Sequence, residues 1–420
     1  MAIVIGLGSN LNQPLQQLRR ACKQLIIAGV SIKAYSNIYQ TQPLLPENAP
    51  SNWADKAYLN AAVMIETRLS PNELLQVLKK IEREMGRQSA ERWAPRVIDL
   101  DVLLFNDVVM QEPHLQLPHP GLHQRIFAMK PLLDVLPTYP HENLAEDSII
   151  SLPHLLQGPE IMGILNVTPD SFSDGGRYVS ADAALQQAQQ LFSEGADIID
   201  IGAESTRPNA VLIDADTEWQ RLAPILKGLE QLWRKDMRPL ISLDTRHAAT
   251  VKKALAFGID WVNDVSQQEF AKMVPILKEG QLKYVAMHHL GVPPQVGKKL
   301  QEDPIKALLA YQALWQQNFA KADLDSAQLI LDAGLGFGKT PEQQWAIIHQ
   351  MQELKISNTP WLIGHSRKSF LKSVLPALTT QGAETATAMI SARLAHQGTE
   401  YLRVHAPAAS IAAIRLQKFL

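Results

Sequence analysis

The chain is 420 residues long, 46% apolar and 20% charged. This composition excludes a disordered, collagen-like or coiled-coil protein, and at about 150 residues per domain the length points to two or three domains. Forty Lys and Arg against 42 Asp and Glu leave a formal net charge of −2, so no global field draws the protein onto nucleic acid or an anionic membrane, and any anion site has to be built locally.

Cys22 has no second cysteine to pair with, which fits a reducing, cytoplasmic setting. The first cation is Arg19, too late for a signal peptide, so the opening apolar run reads as a buried strand. No apolar stretch is long enough to span a bilayer.

The first third of the chain has an α+β pattern. Residues 2–7 read as a strand, and 11–27 as a helix with Leu11, Leu15, Leu18, Cys22 and Leu25 on one stripe. Residues 30–40 and 58–66 read as strands. Ser70, Pro71 and Glu73 supply an N-cap, a proline at the first helical position and a capping-box acid, opening a helix to about residue 84. Residues 97–105 form another strand, with 107–110 as a hairpin partner. A β-α-β-β-α-β order packs both helices on one face of an antiparallel sheet, the ferredoxin-like arrangement. Residues 138–159, punctuated by Pro140, Pro153 and Pro159, read as a linker between domains 1–137 and 160–420.

From residue 160 onward, eight short apolar runs alternate with helix-length segments: 161–167, 198–202, 240–244, 261–264, 284–287, 329–332, 361–364 and 402–405. Continuous apolar strands suit a parallel sheet covered on both faces, and eight such units in about 260 residues predict a (β/α)8 barrel. Chemistry in a barrel gathers at the C-terminal strand tips, and here nearly every tip is polar. Thr206, Arg207, Arg403, His405 and the amides of 171–176 are donors suited to a diphosphate, and Asn166 offers a hard oxygen to a Mg²⁺ on that anion. Asp244, Asn263, Asp332 and Lys368 form a set able to read the donor and acceptor edge of a flat heterocycle. An anion beside a heterocycle suggests a diphosphate leaving from a methylene.

The run from Asn166 to Gly176, Glu204-Ser205-Thr206-Arg207-Pro208, the run from Asp332 to Lys339, Ser366-Arg367-Lys368 and Arg403-Val404-His405 resemble dihydropteroate synthase over roughly residues 160–420. The resemblance implies condensation of a dihydropterin methyl diphosphate with p-aminobenzoate. It places Mg²⁺ on Asn166 and the diphosphate on Thr206, Arg403 and His405. The pterin falls to Asp244, Asn263, Asp332 and Lys368, and p-aminobenzoate to Phe172, Arg207, Pro208, Phe337 and Ser366. Asp332 and Lys368 carry catalysis in this reading. Ala203, Asn209, Ala333 and Ala406 depart from the usual pattern.

In the first part, period two places Asp99 and Asp101 on the same side of one strand, about 7 Å apart, with Ile98, Leu100 and Val102 turned to the core. Two like charges at that spacing repel unless cations lie between them, and Mg²⁺ held by a few carboxylates plus substrate phosphates satisfies both. Arg87, Arg92 and Arg96 lie around the pair in sequence, and arginines beside an acidic metal pair suit phosphoryl transfer from a nucleotide. The run from Gly6 to Asn10 lacks the lysine of a P-loop, and the sheet lacks the paired aromatics and basic face of an RNA binder.

Gly8-Ser9-Asn10, Tyr58-Leu59-Asn60, Gly86-Arg87, Glu91-Arg92-Trp93, Pro95-Arg96, Asp99-Leu100-Asp101 and Pro118-His119 resemble 6-hydroxymethyl-7,8-dihydropterin pyrophosphokinase over about residues 1–135. That resemblance implies diphosphate transfer from ATP, with two Mg²⁺ on Asp99 and Asp101 and with Arg87 and Arg96 on the phosphates. Trp93 covers the site on a mobile loop, and His119 and Arg125 lie near the nucleotide. The pterin sits between Tyr58 and Phe127, its edge met by Thr41, Leu44 and Asn60. The loop after Arg87 is one residue shorter than usual, and Gln42 stands where proline is common.

Both parts imply consecutive steps of folate biosynthesis, with small-molecule substrates, no nucleic acid or membrane partner, and a possible homodimer through the barrel. Two alternatives remain: a non-catalytic docking module ahead of an active barrel, or a pterin-dependent methyltransferase barrel.

Overall fold

The computed structural model describes residues 2–45, 49–54, 56–87, 94–141, 149–167, 177–204, 211–233, 238–294, 297–417 and 419. Proximity along the fold separates a first unit, Met1–Gln157, from a second made of Gly158–Trp233 and Pro239–Leu420. No described helix is long and apolar enough to cross a membrane.

The first unit is built on an antiparallel sheet. Its elements are β1 (Ile3–Ser9), α1 (Pro14–Ile27), β2 (Ser31–Tyr35), β3 (Ile38–Thr41), β4 (Tyr58–Glu66), α2 (Pro71–Glu84), β5 (Asp99–Phe105), α3 (Ile126–Val135) and β6 (Ile149–Leu152). The strands run in the order β5-β1-β4-β3-β6, with β2 also paired to β4. Ile5, Leu7, Ile65, Leu100 and Val102 on one face close over Leu18, Cys22 and Leu25 of α1 and Leu74, Leu78 and Ile81 of α2. The capping box forms as expected, with Ser70 N donating to Glu73 at 2.7 Å. Helix α1 begins three residues later than its apolar stripe, because Asn12 and Gln13 adopt φ of 54° and 61° ahead of Pro14.

The sequence pattern differs from the fold in four places. The run 30–40 is two strands, broken where the Ser36 hydroxyl takes the hydrogen bond of Ala62 N at 2.8 Å in place of a backbone carbonyl. The hairpin beyond residue 106 pairs Met110–Gln111 with Gln116–Leu117 rather than returning along β5. Helix α3 covers the second face of the sheet, packing Met129, Leu132 and Val135 on Val4, Ala62, Leu103 and Leu104. An internal Pro131 and apolar residues over most of its circumference conceal that helix in the sequence.

The fourth difference lies in the stretch read as a linker. It contains β6, which pairs with β3, and the carbonyl of Leu155, which accepts Nε and Nη2 of the buried Arg19 at 2.8 and 2.6 Å. Leu156 belongs to the core of the first unit. A fragment ending at residue 137 is therefore expected to lose at least about 3 kcal/mol against one ending at 157, from one edge strand, two apolar side chains and two charged hydrogen bonds. Urea unfolding of the two fragments measures the difference, and equal midpoints would refute it.

In the second unit eight parallel strands close a barrel: β7 (Glu160–Asn166), β8 (Ile198–Gly202), β9 (Leu240–Asp244), β10 (Trp261–Asp264), β11 (Lys283–Met287), β12 (Leu329–Asp332), β13 (Trp361–Ile363) and β14 (Tyr401–Val404). All eight expected strands are present, and a helix follows each. Side chains point inward at every second residue. Met162, Ile198, Leu240, Trp261, Val285, Ile330, Leu362 and Tyr401, one from each strand, form an apolar plug. One step further along the strands five of the eight inward positions are polar, Asp200, Ser242, Asn263, Asp332 and Arg403, and the plug becomes the floor of a site.

Candidate functional site

Two sites arise, one in each unit. In the first, the sheet face opposite α1 and α2 is covered by α3 at one end only. Along β1 that face carries Val4, Gly6 and Gly8, and the glycines leave room where the helix stops. Gly8 pairs with Asp99 on one side and Asn60 on the other, and Gly6 pairs with Asp101. The uncovered end is the floor of a cavity of about 520 Å³, lined among others by Thr41, Leu44, Tyr58, Asn60, Arg87 and Arg96. Asp99, Asp101, His119, Arg125 and Phe127 complete the described residues that the sequence nominated, so the structure brings all of them together. Trp93 lies outside the described residues.

Asp99 and Asp101 face the same way. Arg87 Nη1 donates to Asp99 Oδ1 at 2.5 Å and Arg96 Nη1 to Oδ2 at 2.8 Å. Burial opposes charge on Asp99, but the two guanidiniums outweigh it and hold the carboxyl below its ordinary value. Asp101 has the opposite fate: burial and the neighbouring Asp99 charge push it up. A carboxylate raised in this way gains from a cation. Among the described residues no group of three or more His, Cys, Asp or Glu forms a metal cage, so a divalent ion here would complete its shell with substrate oxygens and water, as Mg²⁺ does.

Asn60 Nδ2 donates to Thr41 Oγ1 at 2.9 Å, fixing both polar groups on the cavity wall. Burial lowers His119 against the pull of Asp101, and its Nδ1 accepts Gly121 N at 3.2 Å. The cavity also takes in Lys79, Pro120, Gly121 and Gln124, which sequence reasoning did not single out. Lys79 sits one turn before Glu82 on α2 and donates to it at 3.0 Å, while Glu82 also accepts Arg87 and the amide of Leu100. The i,i+3 pairing of Lys79 and Glu82 was the available signal.

In the barrel the polar layer above the plug is built around Arg403. Arg403 donates through Nε to Asp200 Oδ2 at 2.6 Å and through Nη2 to Asp244 Oδ2 at 2.8 Å. Asn263 Nδ2 donates to the same Asp200 oxygen at 3.0 Å. Asp332 Oδ1 accepts Gly334 N at 2.7 Å, and Lys368 Nζ lies 4.8 Å from the centre of the Phe337 ring. His405 Nδ1 and Ser366 Oγ are 2.9 Å apart. Asn166 is exposed at the end of β7, in register with Gly202, which in turn pairs with Asp244. Phe172, Thr206, Arg207 and Pro208 lie outside the described residues.

The charges in this network compete for very little water. Burial and Asp200 push Asp244 up to about 8 against the pull of Arg403, and burial raises Asp332 against the Gly334 amide and Lys368. Burial brings Lys368 down to about 8 despite Asp332. Asp200 Oδ1, Asn263 Oδ1 and Ser242 Oγ are buried without a hydrogen-bond partner among the described residues, and such acceptors favour a ligand bearing N–H donors. The sequence analysis missed Asp200; its signal was one acid at an inward position of an otherwise apolar strand.

Residues 4–137 match the family described as 7,8-dihydro-6-hydroxymethylpterin-pyrophosphokinase, and residues 162–405 the family described as pterin binding enzyme. The folate synthesis bifunctional protein of Chlamydia muridarum is 36% identical over 428 residues, covering 96% of this chain and 94% of that protein. The mitochondrial folate synthesis bifunctional protein of Arabidopsis thaliana is 33% identical, covering 96% and 80%. Among solved structures, dihydropteroate synthase from Anaplasma phagocytophilum with bound 6-hydroxymethylpterin-monophosphate is 32% identical, with a TM-score of 0.56 over 63% of this chain and 99% of that one. Xanthomonas albilineans dihydropteroate synthase with 4-aminobenzoic acid is 28% identical, with a TM-score of 0.57 over 64% and 94%. The chain therefore belongs to the bifunctional folate synthesis proteins, in which a hydroxymethyldihydropterin pyrophosphokinase and a dihydropteroate synthase share one polypeptide.

Proposed function

We propose that residues 1–137 hold the pyrophosphokinase site and 160–420 the synthase site, with the following division of labour. In the first, ATP and the hydroxymethyl pterin meet over the open end of the sheet. Asp99 and Asp101 hold two Mg²⁺ with the ATP phosphates, and the bound ions supply charge neutralisation at the transferred diphosphate. Arg87 and Arg96 bind the phosphates, with His119 and Arg125 at the nucleotide. Tyr58 and Phe127 flank the pterin, Thr41, Leu44 and Asn60 meet its edge, and Trp93 shields it. The pterin hydroxyl oxygen bonds to the β-phosphorus of ATP and gives up its proton to solvent, the bond from that phosphorus to the α-phosphate oxygen breaks, and AMP leaves.

In the barrel, Asn166 holds one Mg²⁺ beside the diphosphate, which Thr206, Arg403 and His405 bind. Asp244, Asn263, Asp332 and Lys368 hold the pterin, while Phe172, Arg207, Pro208, Phe337 and Ser366 form the p-aminobenzoate pocket. The methylene carbon–oxygen bond to diphosphate breaks, leaving a pterin cation that Asp332 favours. The amine of p-aminobenzoate then forms the new C–N bond and loses a proton. The observation that carries this reading is the inward network of Asp200, Asp244, Asn263 and Arg403 directly above the apolar plug.

A homodimer through the outer barrel helices fits the exposure of Met389 and Leu416, 69% and 64% open on Thr380–His396 and Pro407–Gln417. The single cysteine fits a cytoplasmic location. A coupled assay tests the whole scheme. With ATP, Mg²⁺, hydroxymethyldihydropterin and p-aminobenzoate, equimolar AMP, diphosphate and dihydropteroate are expected, and excess EDTA should stop AMP formation. Failure to form AMP would sink the first assignment, and AMP without dihydropteroate the second.

A further inference from the structure

The turn after β12 contains a buried lysine to which the scheme above assigns nothing. Lys339 is 6% exposed; its Nζ donates to His288 O at 3.2 Å and Gly334 O at 3.0 Å, and it lies 2.9 Å from His288 Nδ1. Burial brings Lys339 down to about 7 despite Asp332, and three contacts converging on one nitrogen favour the ammonium, which has three N–H bonds to give. Burial brings His288 down to about 3, and a neutral ring with its proton on Nε2 leaves Nδ1 to accept from the lysine.

The acceptors lie on two strand exits. His288 follows β11, and its amide donates to Asp332 O, the last residue of β12, at 2.8 Å. Gly334 opens the turn 334–338 at φ +59°, and a Cβ there would stand 2.0 Å from His288 O. The two exits are therefore pressed together, and only glycine allows it. The same Gly334 supplies the amide that Asp332 Oδ1 accepts and the carbonyl that Phe337 N bonds at 3.1 Å. Phe337 in turn lies under Lys368. One side-chain nitrogen thus ties down the residue that orients Asp332 on one side and Phe337 on the other.

We propose that Lys339 is a positioning residue of the condensation step, clamping the exits of β11 and β12 so that Asp332, Phe337 and Lys368 keep their mutual geometry. The proposal rests on the reading of the barrel as the condensing site. Lys339 touches neither substrate in that reading. Its effect travels through the Gly334 turn, and a shift of about 1 Å in Asp332 is enough to cost on the order of 100-fold in rate.

The full-length chain carries its own control, because the pyrophosphokinase activity of the same polypeptide reports concentration and integrity. Lys339→Met is expected to lower the synthase kcat about 100-fold while KM for the pterin diphosphate moves less than 3-fold and pyrophosphokinase turnover stays at the parent value. A variant that is merely destabilised would instead lose active sites in step with its melting transition. Since removal of a buried, hydrogen-bonded amine threatens the barrel, His288→Leu is the second arm: it deletes the ring contact and leaves both carbonyls. About a 10-fold fall in kcat at unchanged pterin diphosphate KM supports the clamp, and this arm decides if Lys339→Met fails to fold. Parent-like kcat in a folded Lys339→Met overturns it, as does parent-like kcat in His288→Leu where Lys339→Met does not fold. Dihydropteroate formation by the parent protein, run alongside, separates this failure from a failure of the barrel assignment, in which the parent itself makes no product.

Discussion

Asp101→Asn is expected to lower pyrophosphokinase turnover by at least about 1000-fold, roughly 4 kcal/mol of transition-state stabilisation, with no loss of thermal stability. The two parts of this expectation have one cause. Asp101 lies beside Asp99 on one sheet face, and both burial and that neighbour raise its pKa. For an acid raised above its unfolded value, charge on the folded state is a cost that grows as pH rises through the unfolded pKa. Removing the charge therefore relieves the unliganded fold at neutral pH, while stripping the site of half its anionic platform for cations on the transferred diphosphate. Ordinary destabilising substitutions lower activity and melting temperature together; here they should part. Turnover within 10-fold of the parent would refute the role of Asp101, and synthase activity on supplied pterin diphosphate should not change.

Asp332→Asn should reduce dihydropteroate formation by a comparable factor, about 1000-fold, while KM for p-aminobenzoate stays within 3-fold. The substitution is almost isosteric. An asparagine Oδ1 still accepts the Gly334 amide, so the turn carrying Phe337 keeps its shape. The other oxygen, Oδ2, faces the space above Gly364, whose added Cβ would lie 3.9 Å away, and becomes an amide donor. A pterin edge presenting N–H groups then meets a donor instead of an acceptor, and a developing ring cation loses its nearest anion. Steady-state kinetics in both substrates measures the split. Unchanged turnover would exclude Asp332 from the chemistry, and a matching rise in KM for p-aminobenzoate would point to collapse of the turn.

Full-length relatives and two family matches in order exclude a pterin-dependent methyltransferase as the better description. The docking-module alternative is opposed by the first unit itself, where every described residue nominated for the cavity lines it.

What is local could be read from the order of residues alone. Period two on β5 put Asp99 and Asp101 on one side, the Ser70 capping box opened α2 where expected, and each barrel strand ended near its predicted polar tip. Such features follow from backbone geometry over a few residues, and no distant partner is needed to read them. Folding in three dimensions settled which side of the sheet α3 would cover, that residues 149–152 would join the first sheet, and that Arg403 would reach Asp200 from 203 positions away. It alone set Lys339 against His288, 51 residues apart. These choices depend on which buried donors and acceptors find each other once the sheet and barrel close, a competition settled across the whole fold.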